Sequence, residues 1–137
     1  MKSSRAQIAL GLLSTLLSGT AQADPALAGS EWQPSEIAGS DVPAEPEMFV
    51  RFAAEGRLEG HGGCNAFFGS YQLAGDKIEI GPLGATRRAC EEPVMDRELR
   101  LFEELGKATS WARDGIHLSL SDASGEISIR LVQRDAD

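Results

Sequence analysis

The sequence predicts a mainly β protein, an antiparallel meander of strands with one amphipathic helix packed on it. Short apolar or alternating runs recur between turn signals such as Glu55-Gly56 and Asp114-Gly115, which is the pattern of strands joined by hairpins. A single segment in the second half changes to a helical period. The runs that predict strands are residues 48–53, 57–62, 69–73, 77–80, 109–113, 116–120 and 127–132.

The segment that precedes these runs is predicted to be mostly irregular. Residues 24–47 are rich in Ala, Gly, Ser, Pro and acidic side chains, a composition typical of linkers. One short strand is predicted at residues 30–33, with Trp32 pointing inward and Pro34 interrupting the run. A chain of this length forms one domain. We therefore predict a signal peptide at 1–23, a linker at 24–29 and one domain at 30–134.

The helix is predicted at residues 93–107. Four apolar residues recur there at helical spacing and predict one buried stripe: Met95, Leu99, Phe102 and Leu105. The other faces carry charge: Asp96, Arg97, Arg100, Glu103 and Glu104. Pro93 suits the first turn, and Gly106 with Lys107 suits the exit. We expect this helix to cover the sheet as a lid.

The last two predicted strands alternate in polarity. Side chains two residues apart along a strand point to the same face of a sheet. The residues predicted to share a face are Ile116, Leu118 and Leu120 in one strand, and Ile127, Ile129 and Leu131 in the other.

The N-terminus carries the pattern of a signal peptide. Lys2 and Arg5 form a basic start, residues 8–17 are apolar, and Ala21-Gln22-Ala23 provides the small residues that a signal peptidase requires. Cleavage is expected before Asp24. The apolar run of about ten residues is too short for a stable transmembrane anchor. We therefore expect a periplasmic or secreted protein with no integral membrane segment after cleavage.

The charge of the chain disfavours two classes of partner, nucleic acids and anionic membranes. Removing residues 1–23 takes away Lys2 and Arg5 and no acidic residue, so the formal charge changes from −8 to −10. Nucleic acids and anionic membranes bind clustered Lys and Arg, which this balance disfavours. We expect a monomer whose partner is an envelope protein or a small ligand, with no nucleic acid and no cofactor.

The most unusual local sequence is residues 60–71, which are matched downstream by residues 86–90. The first segment combines several glycines with Cys64 and the only Asn of the chain, which indicates a backbone with unusual φ/ψ demands. Cys64 and Cys90 are the two cysteines, and in an oxidising compartment they would form one disulfide.

Two other interpretations of the cysteines remain open. His61 and His117 with the two cysteines contain the residue types of a zinc site, and Cys64 beside His61 has the composition of a nucleophile with its base. No paired CxxC or HExxH spacing supports either interpretation. The residues favour the structural disulfide.

The order of these motifs resembles the META domain, the HslJ-like heat-shock family. The resemblance covers residues 30–134 and rests on residues 63–71, on residues 80–83, and on Thr86-Arg87-Arg88-Ala89-Cys90. The positions that match the family pattern are Gly63, Cys64, Asn65, Phe67, Gly69, Tyr71, Thr86, Arg87 and Cys90. The resemblance implies a small β-barrel-like fold with one helix, found in bacterial envelope proteins linked to heat shock or stress, including novobiocin resistance. It implies no established enzymatic activity.

The chain departs from the family pattern at Ala66, Phe68 and Arg88. The family often has Arg, a small polar residue and an apolar residue at these positions, so a surface shared across the family is in question. His61 is not part of the motif, which weakens the interpretation of Cys64 as a nucleophile.

Each motif residue has a structural interpretation and a functional one. Asn65 suits a tight connection, because Asn tolerates left-handed backbone, and its functional alternative is a hydrogen bond to a ligand. Phe67, Phe68 and Tyr71 are interpreted as core residues rather than a stacking surface. Arg87 is interpreted as a partner in an internal ion pair, or secondarily as a contact to an anionic ligand. The acidic residues at the start of the helix are interpreted as solvated: Glu91, Glu92 and Asp96.

Three functional hypotheses follow. The first is a non-enzymatic, stress-associated envelope module that binds a protein or small ligand or serves a structural role. The second is a thiol-exchange or metal-binding activity that uses Cys64 and Cys90. The third is a protein inhibitor of an envelope hydrolase.

Overall fold

The computed structural model describes residues 27–134, so the predicted signal peptide lies outside the described residues. One α-helix and ten strands are present in this part of the chain. In chain order they are β1 (Ser30–Ile37), β2 (Ser40–Asp41), β3 (Phe49–Phe52), β4 (Arg57–His61), β5 (Ala66–Ala74), β6 (Lys77–Ile80), β7 (Gly84–Ala85), α1 (Glu92–Lys107), β8 (Ser110–Asp114), β9 (His117–Ser121) and β10 (Ile127–Gln133).

Eight strands close into an antiparallel barrel, which confirms the predicted fold class. The order around the barrel is β1, β3, β4, β5, β6, β8, β9 and β10, and β10 pairs with β1 to complete the circuit. The short strands β2 and β7 lie outside the circuit and pair with β1 and β5. Closure satisfies the strand edges that an open meander leaves exposed.

The first strand is longer than predicted. β1 continues through Pro34 to Ile37, so the prediction that Pro34 interrupts the strand is wrong. The register between β1 and β10 shifts between Pro34 and Glu36. An irregular position of this kind tolerates proline, because it does not require the N–H that proline lacks. Trp32 points inward as predicted and is fully buried, and so is Leu27 from the predicted linker.

The helix α1 lies across one end of the barrel. It contacts β1, β6 and β10, and Glu98 on it reaches the connection between β4 and β5. Its ends are close to those predicted, since it begins at Glu92 and ends at Lys107. The helix therefore acts as the predicted lid, with its inner face closing the apolar interior.

The buried face of α1 differs from the predicted stripe. Leu105 is fully buried as predicted, but Leu99 is 57% exposed, so its assignment to the core is wrong. Glu98, Leu101 and Glu104 are buried instead, so the prediction that Glu104 lies on a face other than the buried one is also wrong. With Glu98 bonded to the β4–β5 connection, the side of α1 that carries Glu98, Leu101 and Leu105 faces the barrel, and Leu99 lies outside it. Phe102 is half-buried and meets the ring of Phe67 edge to face, with centroids 5.3 Å apart.

The closing hairpin of the barrel shows a second local difference. Leu118, Leu120, Ile129 and Leu131 are buried as predicted, whereas Ile116 lies in the β8–β9 turn and is exposed. The register between β9 and β10 shifts between Ile127 and Ile129, which breaks the predicted alternation. Ile127 is consequently exposed, and Ser128 points inward and donates its hydroxyl to the carbonyl of Leu120 at 3.2 Å.

Candidate functional site

The glycine-rich segment forms the connection between β4 and β5. Gly62 donates its main-chain N–H to the carbonyl of Asn65 at 2.9 Å. Gly63 has φ = +104°, in the left-handed region that favours glycine, so the predicted backbone demand is confirmed. A Cβ atom at Gly62 would lie 2.5 Å from Cγ of Glu98, which leaves no room for a side chain. This connection is therefore built to let Glu98 approach the main chain.

Glu98 is buried directly over this connection. Its Oε2 accepts the main-chain N–H groups of Cys64 at 3.1 Å and Asn65 at 2.6 Å, and its Oε1 accepts Nδ2 of Asn65 at 2.8 Å. A buried carboxylate is costly unless hydrogen bonds replace its hydration. These three bonds supply that replacement and fix α1 to the β4–β5 connection.

Asn65 links the same connection to the segment before α1. Its Oδ1 accepts hydrogen bonds from the hydroxyl of Thr86 at 2.9 Å and from the main-chain N–H of Arg88 at 2.6 Å. Its Nδ2 donates to the carbonyl of Arg88 at 3.2 Å and to Glu98. A side-chain amide has two donors and two acceptor sites, and all four are used here. We refer to Asn65, Glu98, Thr86 and the main chain of Arg88 as the Asn65 cluster.

The role of Asn65 differs from the predicted one. Its backbone is not left-handed, since the non-glycine residues with positive φ among residues 27–134 are Ala38 and Glu55. Asn65 bridges two distant segments instead of shaping its own turn. Because the cluster uses its entire hydrogen-bonding capacity, the side chain has none left for the ligand contact considered as its alternative.

A disulfide joins Cys64 to Cys90 beside the Asn65 cluster. The two Cα atoms are 6.1 Å apart, and Sγ of Cys64 lies 3.5 Å from the carbonyl oxygen of Arg88. Cys64 is buried, whereas Cys90 is exposed. The predicted pairing is present, and neither sulfur is a thiolate in this state.

The positions of His61 and His117 bear on the two other interpretations of the cysteines. Nδ1 of His61 accepts the main-chain N–H of Gly63 at 3.1 Å, and so that ring nitrogen is already engaged. His117 begins β9, in the hairpin that follows β8. Within residues 27–134, no group of three or more His, Cys, Asp or Glu residues is placed to hold a metal ion.

The comparison with known protein families agrees with this geometry. The sequence profile of the META domain matches residues 25–135, which include both halves of the disulfide and the whole Asn65 cluster. The chain belongs to the META domain family. A search of curated proteins finds no significant match.

Solved structures support the same assignment at the level of the fold. A protein from Burkholderia xenovorans, studied by NMR, is 21% identical with a TM-score of 0.65, and the match covers 91% of this chain and 100% of that one. A DUF4847 family protein from Bacteroides vulgatus, studied by crystallography, is 15% identical with a TM-score of 0.59 and covers 81% of this chain and 96% of its own. At these identities the likeness concerns the fold alone.

Three other motif positions of this META domain are structural. Phe67 and Tyr71 are buried, and the hydroxyl of Tyr71 donates to the carbonyl of Ala53 at 3.1 Å. Burial raises the pKa of Tyr71 above its ordinary value. A Cβ at Gly69 would lie 2.8 Å from Cδ2 of Leu83 and 3.0 Å from the main-chain carbonyl oxygen of Pro82, so this position leaves little room for a side chain. These positions therefore serve the packing of the barrel.

Phe68 and Arg87 differ from their predicted roles. Phe68 is 52% exposed and packs on Gly84 of β7, so its assignment to the core is wrong. Arg87 is exposed and has no carboxylate oxygen within 4.0 Å among residues 27–134, so the predicted internal ion pair does not form. The acidic residues at the start of the helix are exposed, as predicted: Glu91, Glu92 and Asp96.

The residue that sequence reasoning missed is Glu98. It lies three positions before Leu101, which lies four positions before Leu105, so the three side chains share one face of the helix. Both leucines are fully buried. A single charged residue in such a row indicates a buried carboxylate with dedicated partners. Those partners, Cys64 and Asn65, are more than thirty positions earlier in the chain, so local periodicity cannot identify them.

No helix among the described residues is long and apolar enough to cross a membrane.

Proposed function

We propose that this META domain is an exported envelope protein that acts without chemistry of its own, as a binding or structural module in stress. One observation carries the proposal. The polar and sulfur groups at the centre of the family signature bond to one another, through the disulfide and the Asn65 cluster. An active site needs groups free to meet a substrate, whereas these groups hold the fold together.

The disulfide also supports the proposed location. Such bonds persist in the periplasm and outside the cell, whereas the cytoplasm keeps thiols reduced. The predicted cleavage before Asp24 would deliver the chain to such a compartment. The link to heat shock and stress comes from the family resemblance of the sequence.

Fractionation and thiol labelling test the location and the redox state together. We expect the mature chain, beginning at Asp24, in the periplasmic or secreted fraction, with no thiol that reacts before a reductant is added. A cytoplasmic protein would contradict export. Reactive thiols in the native protein would favour the alternative thiol-exchange or metal-binding function.

Complementation tests whether sulfur chemistry is needed. A strain that lacks the gene is challenged with heat or envelope stress and supplied with the parent protein or with Cys64→Ser/Cys90→Ser. The assay is run at a temperature at which the variant is shown to remain folded. We expect both proteins to restore growth equally. Rescue by the parent alone would show that the cysteines act chemically.

A further inference from the structure

A groove lies between α1 and the β1–β2 hairpin, with a volume of about 200 Å³. Its apolar part is formed by Ile37, Val42 and Pro93, and its charged part includes Arg97 and Arg100 from the helix. Pockets that enclose drug-sized molecules measure roughly 300 to 1,000 Å³. This groove is smaller, and its size suits one or two residues at the end of a chain.

The two arginines of the groove have no anionic partner within residues 27–134. Other cations in the described part of the chain do form ion pairs, among them Arg51, Arg57, Lys107, Arg130 and Arg134. Within residues 27–134, no carboxylate oxygen lies within 4.0 Å of the guanidinium of Arg97 or Arg100, although the chain is acidic overall. Residues three apart are neighbours on a helix surface. The planar guanidinium groups of Arg97 and Arg100 can therefore bind one carboxylate together.

The groove also borders a strand with an unused edge. β2 consists of Ser40 and Asp41, which both line the groove, and it pairs with β1 and with no other strand among those described. The unpaired side of an edge strand can accept an added strand through main-chain hydrogen bonds. An extended segment between β2 and α1 would meet main-chain groups on one side and guanidinium groups on the other.

Acidic residues in the groove restrict the ligand further. Asp41 and Asp96 line it together with the arginines. Their negative charge disfavours phosphates and polyacids, which carry several charges, more than a single carboxylate. The combination of an apolar floor, two free guanidinium groups and a strand edge matches the last residues of a peptide.

We propose that this groove binds the C-terminal end of an extended peptide. The terminal carboxylate bonds to Arg97 and Arg100, the last apolar side chain rests on Ile37, Val42 and Pro93, and the main chain lies along β2. This inference rests on the proposed function, because it gives a non-enzymatic binding module its ligand class.

Fluorescence polarisation with a pair of labelled peptides tests the inference. The probe is fluorescein-Gly-Ser-Gly-Ala-Val-Leu with a free carboxylate, and its control is the same peptide as the C-terminal amide. We expect the amide to bind at least about tenfold more weakly, because it lacks the charge that the arginines pair with. We expect the same loss for the acid peptide with Arg97→Gln/Arg100→Gln.

A matched variant controls for general electrostatics. Lys77→Gln removes an exposed cation of β6 that likewise has no carboxylate within 4.0 Å among residues 27–134. The affinity of this variant for the acid peptide should stay within about twofold of the affinity of the parent protein. Thermal melting of each variant checks that the fold is retained, which we expect because Arg97 is only partly buried and Arg100 is exposed.

Three results would overturn the inference. The first is equal affinity for the acid and the amide, and the second is no binding of either at about 1 mM protein. The third is full displacement of the peptide by octanoate at equal concentration, which would indicate a small acid as the ligand. None of these results changes the thiol labelling of the protein, so failure of the groove and failure of the proposed function can be told apart.

Discussion

Glu98 and Asn65 are joined by two hydrogen bonds, one from the main-chain N–H of Asn65 at 2.6 Å and one from its side-chain amide at 2.8 Å. Because Asn65 also holds Thr86 and Arg88, this pair connects the helix, the β4–β5 connection and the segment before the helix. The disulfide joins two of the same three segments. The end of the barrel that α1 covers is thus fixed covalently and by a buried polar network.

The first prediction concerns the carboxylate of Glu98. Glu98→Gln replaces one acceptor oxygen with a donor and sets it against N–H groups that have no alternative partner. We expect a loss of about 1 to 3 kcal/mol in the free energy of unfolding, the cost of leaving a buried polar group unsatisfied. Denaturant unfolding measures this loss.

Glu103→Gln, at an exposed position on the same helix, is the control and should change stability by less than about 0.5 kcal/mol. Equal effects of the two substitutions would show that the network contributes little.

The second prediction concerns the approach of the main chain to Glu98. A Cβ at Gly62 would lie 2.5 Å from Cγ and 2.7 Å from Oε2 of Glu98, so Gly62→Ala must displace the carboxylate. We expect a loss of about 1 to 3 kcal/mol from overpacking. Gly106→Ala has the opposite sign, because its Cβ meets nothing within 4 Å and alanine is favoured over glycine in a helix by up to about 1 kcal/mol. Thermal melting of the two variants measures the difference, and a parent-like Gly62→Ala protein would refute the close contact.

The third prediction separates the observed buried face of α1 from the one that periodicity indicates. Leu101 is fully buried, and Leu101→Ala should cost about 2 to 5 kcal/mol, as is typical of truncating a core leucine. Leu99 is 57% exposed, and Leu99→Ala should cost less than about 0.5 kcal/mol, as is usual for surface positions. Urea unfolding of both variants gives the comparison. The reverse ranking would mean that the helix packs by its Met95, Leu99 and Phe102 stripe.

These helix positions show which parts of the fold a sequence can predict. The strands and turns follow from local alternation and turn residues, and the predicted runs correspond to observed strands. The period of α1 predicts a helix correctly but places Leu99 inside, because the orientation is set by the distant contacts of Glu98. The irregular registers at Pro34 and Ser128 likewise depend on the pairing partner, β10 or β9, which local pattern does not specify.

The site shows the same division. The pairing of Cys64 with Cys90 follows from counting cysteines in a chain that is predicted to be exported. The function of Asn65 could not be read from turn preferences, because its four hydrogen bonds go to residues more than twenty positions away. Arg87 matches the motif pattern and Phe68 departs from it, yet both lie at the surface, because neighbouring strands decide exposure.

The fourth prediction concerns the disulfide. Cross-linking residues 26 positions apart stabilises the fold by about 3 to 4 kcal/mol in the chain-entropy treatment. Cys64→Ser/Cys90→Ser should therefore unfold at markedly lower temperature than the oxidised parent, and at nearly the same temperature as the reduced parent. Calorimetry with and without a reductant measures both differences. If the parent melts identically in the two conditions, the bond contributes no stability.

The fifth prediction uses Tyr71, which is the only tyrosine of the chain. Burial raises the pKa of Tyr71 above 10.0 in the folded protein, whereas its pKa in the unfolded chain is about 10. The folded state thus keeps its proton at a pH at which the unfolded state has lost it. The corresponding stability is complete below the unfolded pKa and is lost as the pH rises through the folded one.

Tyr71→Phe should remove this alkaline loss of stability. It should also cost about 1 kcal/mol at neutral pH, because the hydrogen bond to the carbonyl of Ala53 disappears. Unfolding of parent and variant at neutral and alkaline pH measures both effects, and comparison of the two proteins cancels the titration of lysines. Ultraviolet titration of tyrosinate in the parent reports the folded pKa directly. An ordinary pKa there, or the same alkaline slope in both proteins, would show that the hydroxyl of Tyr71 is reached by solvent in the folded barrel.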